Sequence, residues 1–307
     1  MRAVLIGVVE STRIALRCLS AAPEWDLAGI VTLPLDLAGR HSDFVDLAAE
    51  AEAAQCPLLR IANSNADEAL RAIAELAPDY LFVIGWSQLC GERMRMLVAD
   101  HVVGYHPAPL PRLRGRAVIP WTILMDEPIT ASTLFLIDEG TDSGAILAQR
   151  FFHVAPDETA ATLYARHMAA LEAMLPGVLT GIASGTLTPQ EQDDRYATWA
   201  ARRRPGDGEI DWNSPASDIW RLVRACGDPY PGAFTMLGEQ RVVIAAAETV
   251  RLSEHRAALV GQVVVRSDDS FTVRCGDGNG LRVRGWRWDR AGMPPLHARF
   301  AGSKGGR

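Results

Sequence analysis

Residues 104–144 concentrate the groups that can do chemistry: one histidine, three arginines and five acids, three of those acids in the closing segment. The stretch opens Gly-Tyr-His-Pro-Ala-Pro-Leu-Pro-Arg-Leu-Arg-Gly-Arg and closes Asp-Glu-Gly-Thr-Asp-Ser-Gly, with the apolar run 131–137 before the acids. A strand delivers His106 at its end, and a second strand delivers Asp142 in the loop after it, so both are expected at one rim of a sheet. An imidazole beside a carboxylate is the minimal kit for proton transfer near neutral pH. Arg114 and Arg116 flank Gly115 and can offer forked donors to a pyrophosphate. Each residue also has a plainer reading. His106 can be a packed strand-end residue, the three prolines can merely stiffen a loop, and the arginines can be solvated surface. The acidic segment can be a hairpin turn. It lacks the twelve-residue ligand pattern of a calcium loop.

The elements that must position these groups alternate. Residues 2–9, 26–33, 57–61, 80–84 and 102–105 read as buried β-rich runs, and 11–22, 67–76 and 117–125 as helices. Ser42 and Asp43 open a further helix through about residue 54. This alternation predicts an α/β fold with an open, mostly parallel sheet, whose ligands sit beyond the carboxyl ends of the strands, where Trp86 and His106 fall. The first strand–helix turn has no Gly-x-Gly-x-x-Gly, so no dinucleotide is expected there. Strands at 131–137 and 146–153 surround the acidic loop, and a long helix covers 159–184, with Pro176 interrupting it.

From Trp199 the texture changes to Arg-Arg-Arg-Pro-Gly-Asp-Gly, one helix at 216–225, and short β-type runs at 233–236, 241–244, 263–265, 271–274 and 281–284. Two domains are expected, 1–199 and 200–307, the second β-rich. The tail 302–307 is expected to lack order. Residues 1–199 carry 14 basic against 25 acidic residues, and 200–307 carry 17 against 12. A basic second domain can meet a polyanion, or be an ordinary solvated surface. Five scattered cysteines make no Cys-x-x-Cys pair, which argues against a disulfide framework or zinc site and suits a reducing cytoplasm. No apolar run is long enough to span a membrane.

The sequence His-Pro-x-x-Leu-Pro-x-x-Arg-Gly followed by Asp-x-Gly-x-Asp-x-Gly resembles the signature of the folate-dependent formyltransferases. Residues 82–89 (Phe-Val-Ile-Gly-Trp-Ser-Gln-Leu) and 42–47 (Ser-Asp-Phe-Val-Asp-Leu) resemble the branch that formylates amino groups on nucleotide-linked sugars, of the pseudaminic-acid-pathway type. The likeness reappears in Arg203-Arg204-Pro205 and in residues 228–234, so it covers most of the chain.

The resemblance implies a Rossmann-like formyltransferase domain and an OB-like accessory domain. It implies His106 and Asp142 as catalytic residues, and a cis peptide at Leu110-Pro111. Folate is expected against Trp86, Ser87, Gln88, Leu89, Pro111 and the loop Asp138, Glu139, Gly140 and Thr141, whose backbone meets the pterin. The acceptor is expected against Glu10, Ser11, Ser42, Asp43, Tyr105, Arg114 and Arg116. The implied reaction moves a formyl group from 10-formyltetrahydrofolate to an amine on a nucleotide-linked amino-dideoxy sugar, without a metal. His106 as imidazolium meets the oxyanion and protonates the leaving nitrogen, while Asp142 supports that charged form and takes up the amine proton. No nucleic-acid or membrane partner is expected, and the oligomeric state stays open, a homodimer included.

One departure stands out. The family pattern has Asn-x-His, and here the first position is Gly104. An oxyanion donor is therefore unassigned, and Gln88, Ser132, a water or a backbone N–H could replace it. The glycine also leaves room beside Tyr105. Three rival readings remain: methionyl-tRNA formyltransferase, a formyltetrahydrofolate hydrolase, and a non-catalytic folate-binding protein.

Overall fold

The structure is a computed structural model that describes residues 1–290 and 292–301. The tail 302–307 lies outside the described residues. In chain order the elements of the first part are β1 (Arg2–Ile6), α1 (Glu10–Ala21), β2 (Asp26–Thr32), α2 (Ala48–Ala53), β3 (Leu58–Arg60), α3 (Asp67–Glu75), β4 (Tyr80–Val83), α4 (Glu92–Arg95) and β5 (Val102–His106). Then come β6 (Arg114–Gly115), α5 (Val118–Leu124), β7 (Ile129–Leu136), β8 (Ile146–His153), α6 (Ala160–Ala183) and β9 (Trp199–Ala200). The second part holds α7 (Ala216–Cys226), β10 (Ala233–Leu237), β11 (Gln240–Val250), β12 (Val263–Arg266), β13 (Phe271–Arg274) and β14 (Gly280–Arg287).

Seven strands form one sheet in the order β3-β2-β1-β4-β5-β7-β8. β1 to β5 pair in parallel, and the β5–β7 and β7–β8 pairs are antiparallel. The parallel strands are apolar along their central residues because both faces are covered. Ala3, Leu5, Phe82, Ile84, Val103 and Leu134 face one core with residues of α1 and α6. Val4, Ile6, Leu81, Val83 and Val102 face the other, with Leu70 and Ile73 of α3. Alternation along β5 then sends Tyr105 toward the first core and Gly104 and His106 toward the second.

Three expectations shift. No helix opens at Ser42. Val45 N–H donates to Val8 O, Phe44 bridges to Val9 and packs against Val8, Val9, Leu33 and Trp86, and the helix starts only at Ala48. Burial of one aromatic ring outweighs a good capping sequence there. Pro176 does not interrupt α6, which runs from Ala160 to Ala183 with the proline on its exposed side. β11 runs well beyond residue 244 and carries irregular register against β14.

Contacts divide the chain into two compact units. One comprises Met1–Val118, Pro128–Val154 and Tyr164–Ala201. The other takes Ile119–Glu127, Ala155–Leu163 and the described residues from Arg202 onward, so two short excursions group with the C-terminal part. Within the second unit the antiparallel sheet β10-β11-β14-β13-β12 packs on α7 around Trp212, Phe271 and Phe300. Residues 297–301 link its two edges: Val263 N–H donates to Ala298 O, and Ala301 N–H to Met236 O. That closure gives the OB-like form.

Candidate active site

His106 ends β5 opposite Thr133 and is 6% exposed. Its Nε2 lies 2.7 Å from the carbonyl oxygen of Leu113. A carbonyl only accepts, so Nε2 carries a hydrogen, and Nδ1 is the nitrogen turned toward the remaining chemistry. Nδ1 stands 3.6 Å from Oδ2 of Asp142. The loop that supplies Leu113 is pinned from two directions. From the sheet, Thr133 Oγ1 donates to Ala108 O at 2.7 Å, and Gln149 Nε2 to Leu110 O at 2.9 Å. From the crossover after α6, Arg114 N–H donates to Thr198 O, and Leu113 N–H to Thr198 Oγ1. Leu110-Pro111 is cis, as the resemblance implies.

Asp142 does not arrive along the rim that carries His106. β7 runs antiparallel to β5, with Leu136 opposite Val103, so the acidic loop leaves the sheet three residues before His106, about 10 Å away. The loop doubles back to close that gap. Asp138 Oδ1 accepts from Gly140 N–H at 3.0 Å and Ser143 Oγ at 2.8 Å, which turns the chain. Asp142 has φ +52°, and its Oδ2 accepts from Gly115 N–H at 2.8 Å. Glu139, Gly140 and Thr141 are exposed at the tip.

Gly104 leaves no room for a substrate. A Cβ there would lie 2.9 Å from the Phe135 ring and from Ile137 Cγ1, so apolar side chains fill the space. Neither side-chain substitute for the family asparagine stands at His106. Gln88 is committed to the 62–64 segment, accepting from Ser64 and donating to Ala62 O. Ser132 is on the opposite face, hydrogen-bonded to the Tyr105 hydroxyl at 3.0 Å and to His167 Nδ1 at 2.9 Å. Tyr105 points there as well and also donates to His167 O, so the structure does not bring it to His106. Burial pushes the Tyr105 phenol up, and it pushes His167 down to about 3, helped by the nearby His106 and Arg166 charges.

Arg114 is 4% exposed and fully engaged, with Gln192 Oε1 at 2.8 and 3.2 Å and Asp194 Oδ1 at 2.7 Å. It is not available to a pyrophosphate. Arg116 is exposed and donates to Ser87 O at 3.1 Å. That bond ties residues 86–89 to the loop holding Gly115 and thus to Asp142. Trp86 donates to Ser64 Oγ at 3.1 Å, Ser87 Oγ meets His41 Nε2 at 3.1 Å, and Leu89 is 76% exposed. Burial holds His41 below the usual imidazole range, Asp43 opposes that, and Arg116 and Arg40 reinforce it. The other expected acceptor residues are more distant in role. Glu10 is ion-paired with Arg13 at 2.7 Å, Ser11 is 3% exposed, Asp43 accepts from Tyr164 at 3.0 Å, and Ser42 is exposed.

Sequence reasoning missed His41, Thr198 and Gln192. His41 carries a weak signal, being a titratable residue beside Ser42 and Asp43. Gln192 and Thr198 carry none, since they sit in an aperiodic polar crossover. Among the described residues no group of three or more His, Cys, Asp or Glu is placed to hold a metal ion. Two surface depressions, of about 300 and 480 Å³ and lined by residues such as Arg71 and Arg93 or Cys18 and Glu172, lie away from His106.

Residues 21–179 match the family model for formyl transferase, and residues 203–295 the model for its C-terminal domain. The chain belongs to the formyltransferase family. Solved formyltransferase-fold structures resemble it over nearly its whole length. A sugar 3N-formyl transferase, WlaRD, solved in the presence of dTDP and 5-N-formyl-THF, is 15% identical with a TM-score of 0.69, covering 92% of this chain and 97% of that one. An N-formyltransferase from Helicobacter canadensis, solved with folinic acid and dTDP-3-aminofucose, is 15% identical with a TM-score of 0.65, covering 92% and 98%. A variant of HypX from Aquifex aeolicus is 18% identical with a TM-score of 0.64. The match covers 92% of this chain but only 45% of HypX, so this chain spans less than half of that protein's length. At these identities the likeness is one of fold.

Proposed function

We propose that the protein transfers a formyl group from 10-formyltetrahydrofolate to the primary amine of a nucleotide-linked amino sugar. The observation that carries the reading is the pair His106 and Asp142, Nδ1 facing Oδ2 across 3.6 Å, with the other imidazole nitrogen fixed by Leu113 O. Fixing Nε2 leaves one nitrogen for the reacting atoms, and an amine or water seated beside the pair can contact both groups. The donor supplies the formyl carbon. The Trp86–Leu89 segment, linked to the site through Arg116, and the exposed 139–141 backbone fit a flat ring bearing amide-like edges.

In this mechanism the amine nitrogen bonds to the formyl carbon, and the bond from that carbon to the folate nitrogen breaks. His106 Nδ1–H meets the oxygen that gains charge and passes its proton to the leaving nitrogen. Asp142 takes the proton that the amine loses, so the net charge of the pair is restored. Held in one orientation by Leu113 O and Gly115 N–H, the two groups need little reorganisation during the step. Arg116, exposed and cationic, is the residue available for the acceptor's phosphates.

Support for the sugar class comes from the bound ligands of the two sugar-modifying relatives and from the 42–47 and 82–89 segments. A nucleic-acid acceptor is the second reading, favoured by the basic C-terminal part with 17 basic against 12 acidic residues. Purified protein, 10-formyltetrahydrofolate and a panel of nucleotide amino sugars, read by mass spectrometry, test the proposal. A mass gain of one formyl group on one sugar is the expected result. No sugar modified, with salt-sensitive binding of aminoacyl-tRNA, overturns it in favour of the second reading. Folate binding with no transfer to any amine shows a binding protein.

A further inference from the structure

We infer that Gln192 is a positioning residue for the transfer, holding the Asp142 loop against His106 with Arg114 as its anchor. The inference rests on the reading of Asp142 given above. Gln192 Nε2 donates to the carbonyl oxygens of Asp142 at 2.9 Å and Gly144 at 2.7 Å. Its Oε1 accepts from Arg114 Nη2 at 2.8 Å and Nε at 3.2 Å. Only one amide orientation satisfies all four contacts, because a guanidinium donates and carbonyls accept. Arg114 is itself 4% exposed and clamped by Asp194, and the neighbouring Gly115 N–H holds the Asp142 carboxylate. Asp142 is thus gripped by its backbone through Gln192 and by its side chain through Gly115, and both grips trace to the same pinned loop.

The site needs such a grip for two reasons. Asp142 has φ +52°, a left-handed conformation that a non-glycine residue keeps only when its surroundings impose it. The acidic loop leaves the sheet about 10 Å from His106 and is exposed at its tip, so sheet hydrogen bonds do not fix where the carboxylate ends up. The 3.6 Å separation already exceeds a hydrogen bond, and further drift would uncouple the pair.

Gln192→Glu isolates this role. A carboxylate still pairs with Arg114 but cannot donate to two carbonyls, so an anchor of merely structural value survives and the loop is released. The expected result is a loss of about 10- to 100-fold in kcat in a protein that still unfolds cooperatively. Amide exchange should be faster at residues 138–145 and Gly115, with the strands unaffected. In the Asp142→Asn background the same change should cost less in kcat than in the wild type, since Gln192 acts on the transfer through Asp142. Gln192→Ala repeats the test without a new charge should Gln192→Glu fold poorly. Full kcat in both Gln192 variants beside an inactive Asp142→Asn overturns the inference and leaves the Asp142 reading standing. Full kcat in Asp142→Asn sinks that reading instead, and exchange alone then decides whether Gln192 holds the loop.

Discussion

At the scale of single residues, Gly104 is where the sequence invited the wrong picture. A glycine in place of the family asparagine suggests added space, yet Phe135 and Ile137 occupy it. A Cβ within 2.9 Å of an aromatic ring forces something to move, and overpacking of this kind costs about 1–3 kcal/mol. Gly104→Asn is therefore expected to lower both thermal midpoint and turnover, and Phe135→Ala should cost less stability in the Gly104→Asn background than in the wild type. A tenfold gain in turnover from Gly104→Asn alone would show instead that the site merely lacks a donor. That His106 and Asp142 lie together was legible because the motif pairs them. Arg114 was not: a buried arginine and a surface arginine two residues apart look the same in a sequence, and only Gln192 and Asp194, brought in from far along the chain, tell them apart.

At the scale of elements, alternation of apolar runs with helical periods gave every strand of the large sheet to within a few residues. Two features stayed hidden because tertiary contacts decide them: the irregular stretch before α2, and the two-strand pair β6–β9. The layer between β5, β7 and α6 carries its own expectation. His167 is fully buried, donates or accepts at Nδ1 with Ser132, and has no partner at Nε2. Its folded-state value of about 3 lies below the ordinary 6.5, so the unfolded chain binds a proton that the native one refuses. The resulting stability is complete above the ordinary value and is lost as pH falls from there toward about 3. His167→Gln removes the titrating group, so its loss of unfolding free energy between neutral and acid buffer should be smaller than the wild type's. Equal losses in the two proteins would remove His167 from the acid response.

At the scale of the whole chain, the change of texture near residue 199 marks where one unit's last segment ends, but not the two excursions that belong with the other. No local pattern announces them, because α5 and the start of α6 read as ordinary helix. The fragment 1–201 is expected to fold cooperatively around the seven-stranded sheet, with fast exchange confined to 119–127 and 155–163, whose partners it lacks. A cut at residue 189 should keep the sheet yet speed exchange at 111–116 and 138–144, since Gln192, Thr198 and Ala200 are gone. Fragment 1–201 failing to unfold cooperatively would show that the C-terminal part is required for the sheet.

The strap from Gln192 to Ala200 also sets a schedule. Every residue of the signature has been synthesised once Gly144 is joined, but the clasp on the Asp142 loop lies 48 residues further on. At roughly 5–20 residues per second the ribosome needs about 2–10 s to cover that interval. During it the nascent chain bears the full signature and an acidic loop that is not yet fastened. A messenger broken in that window would yield a polypeptide that carries the family motif without the side chain that grips the Asp142 backbone.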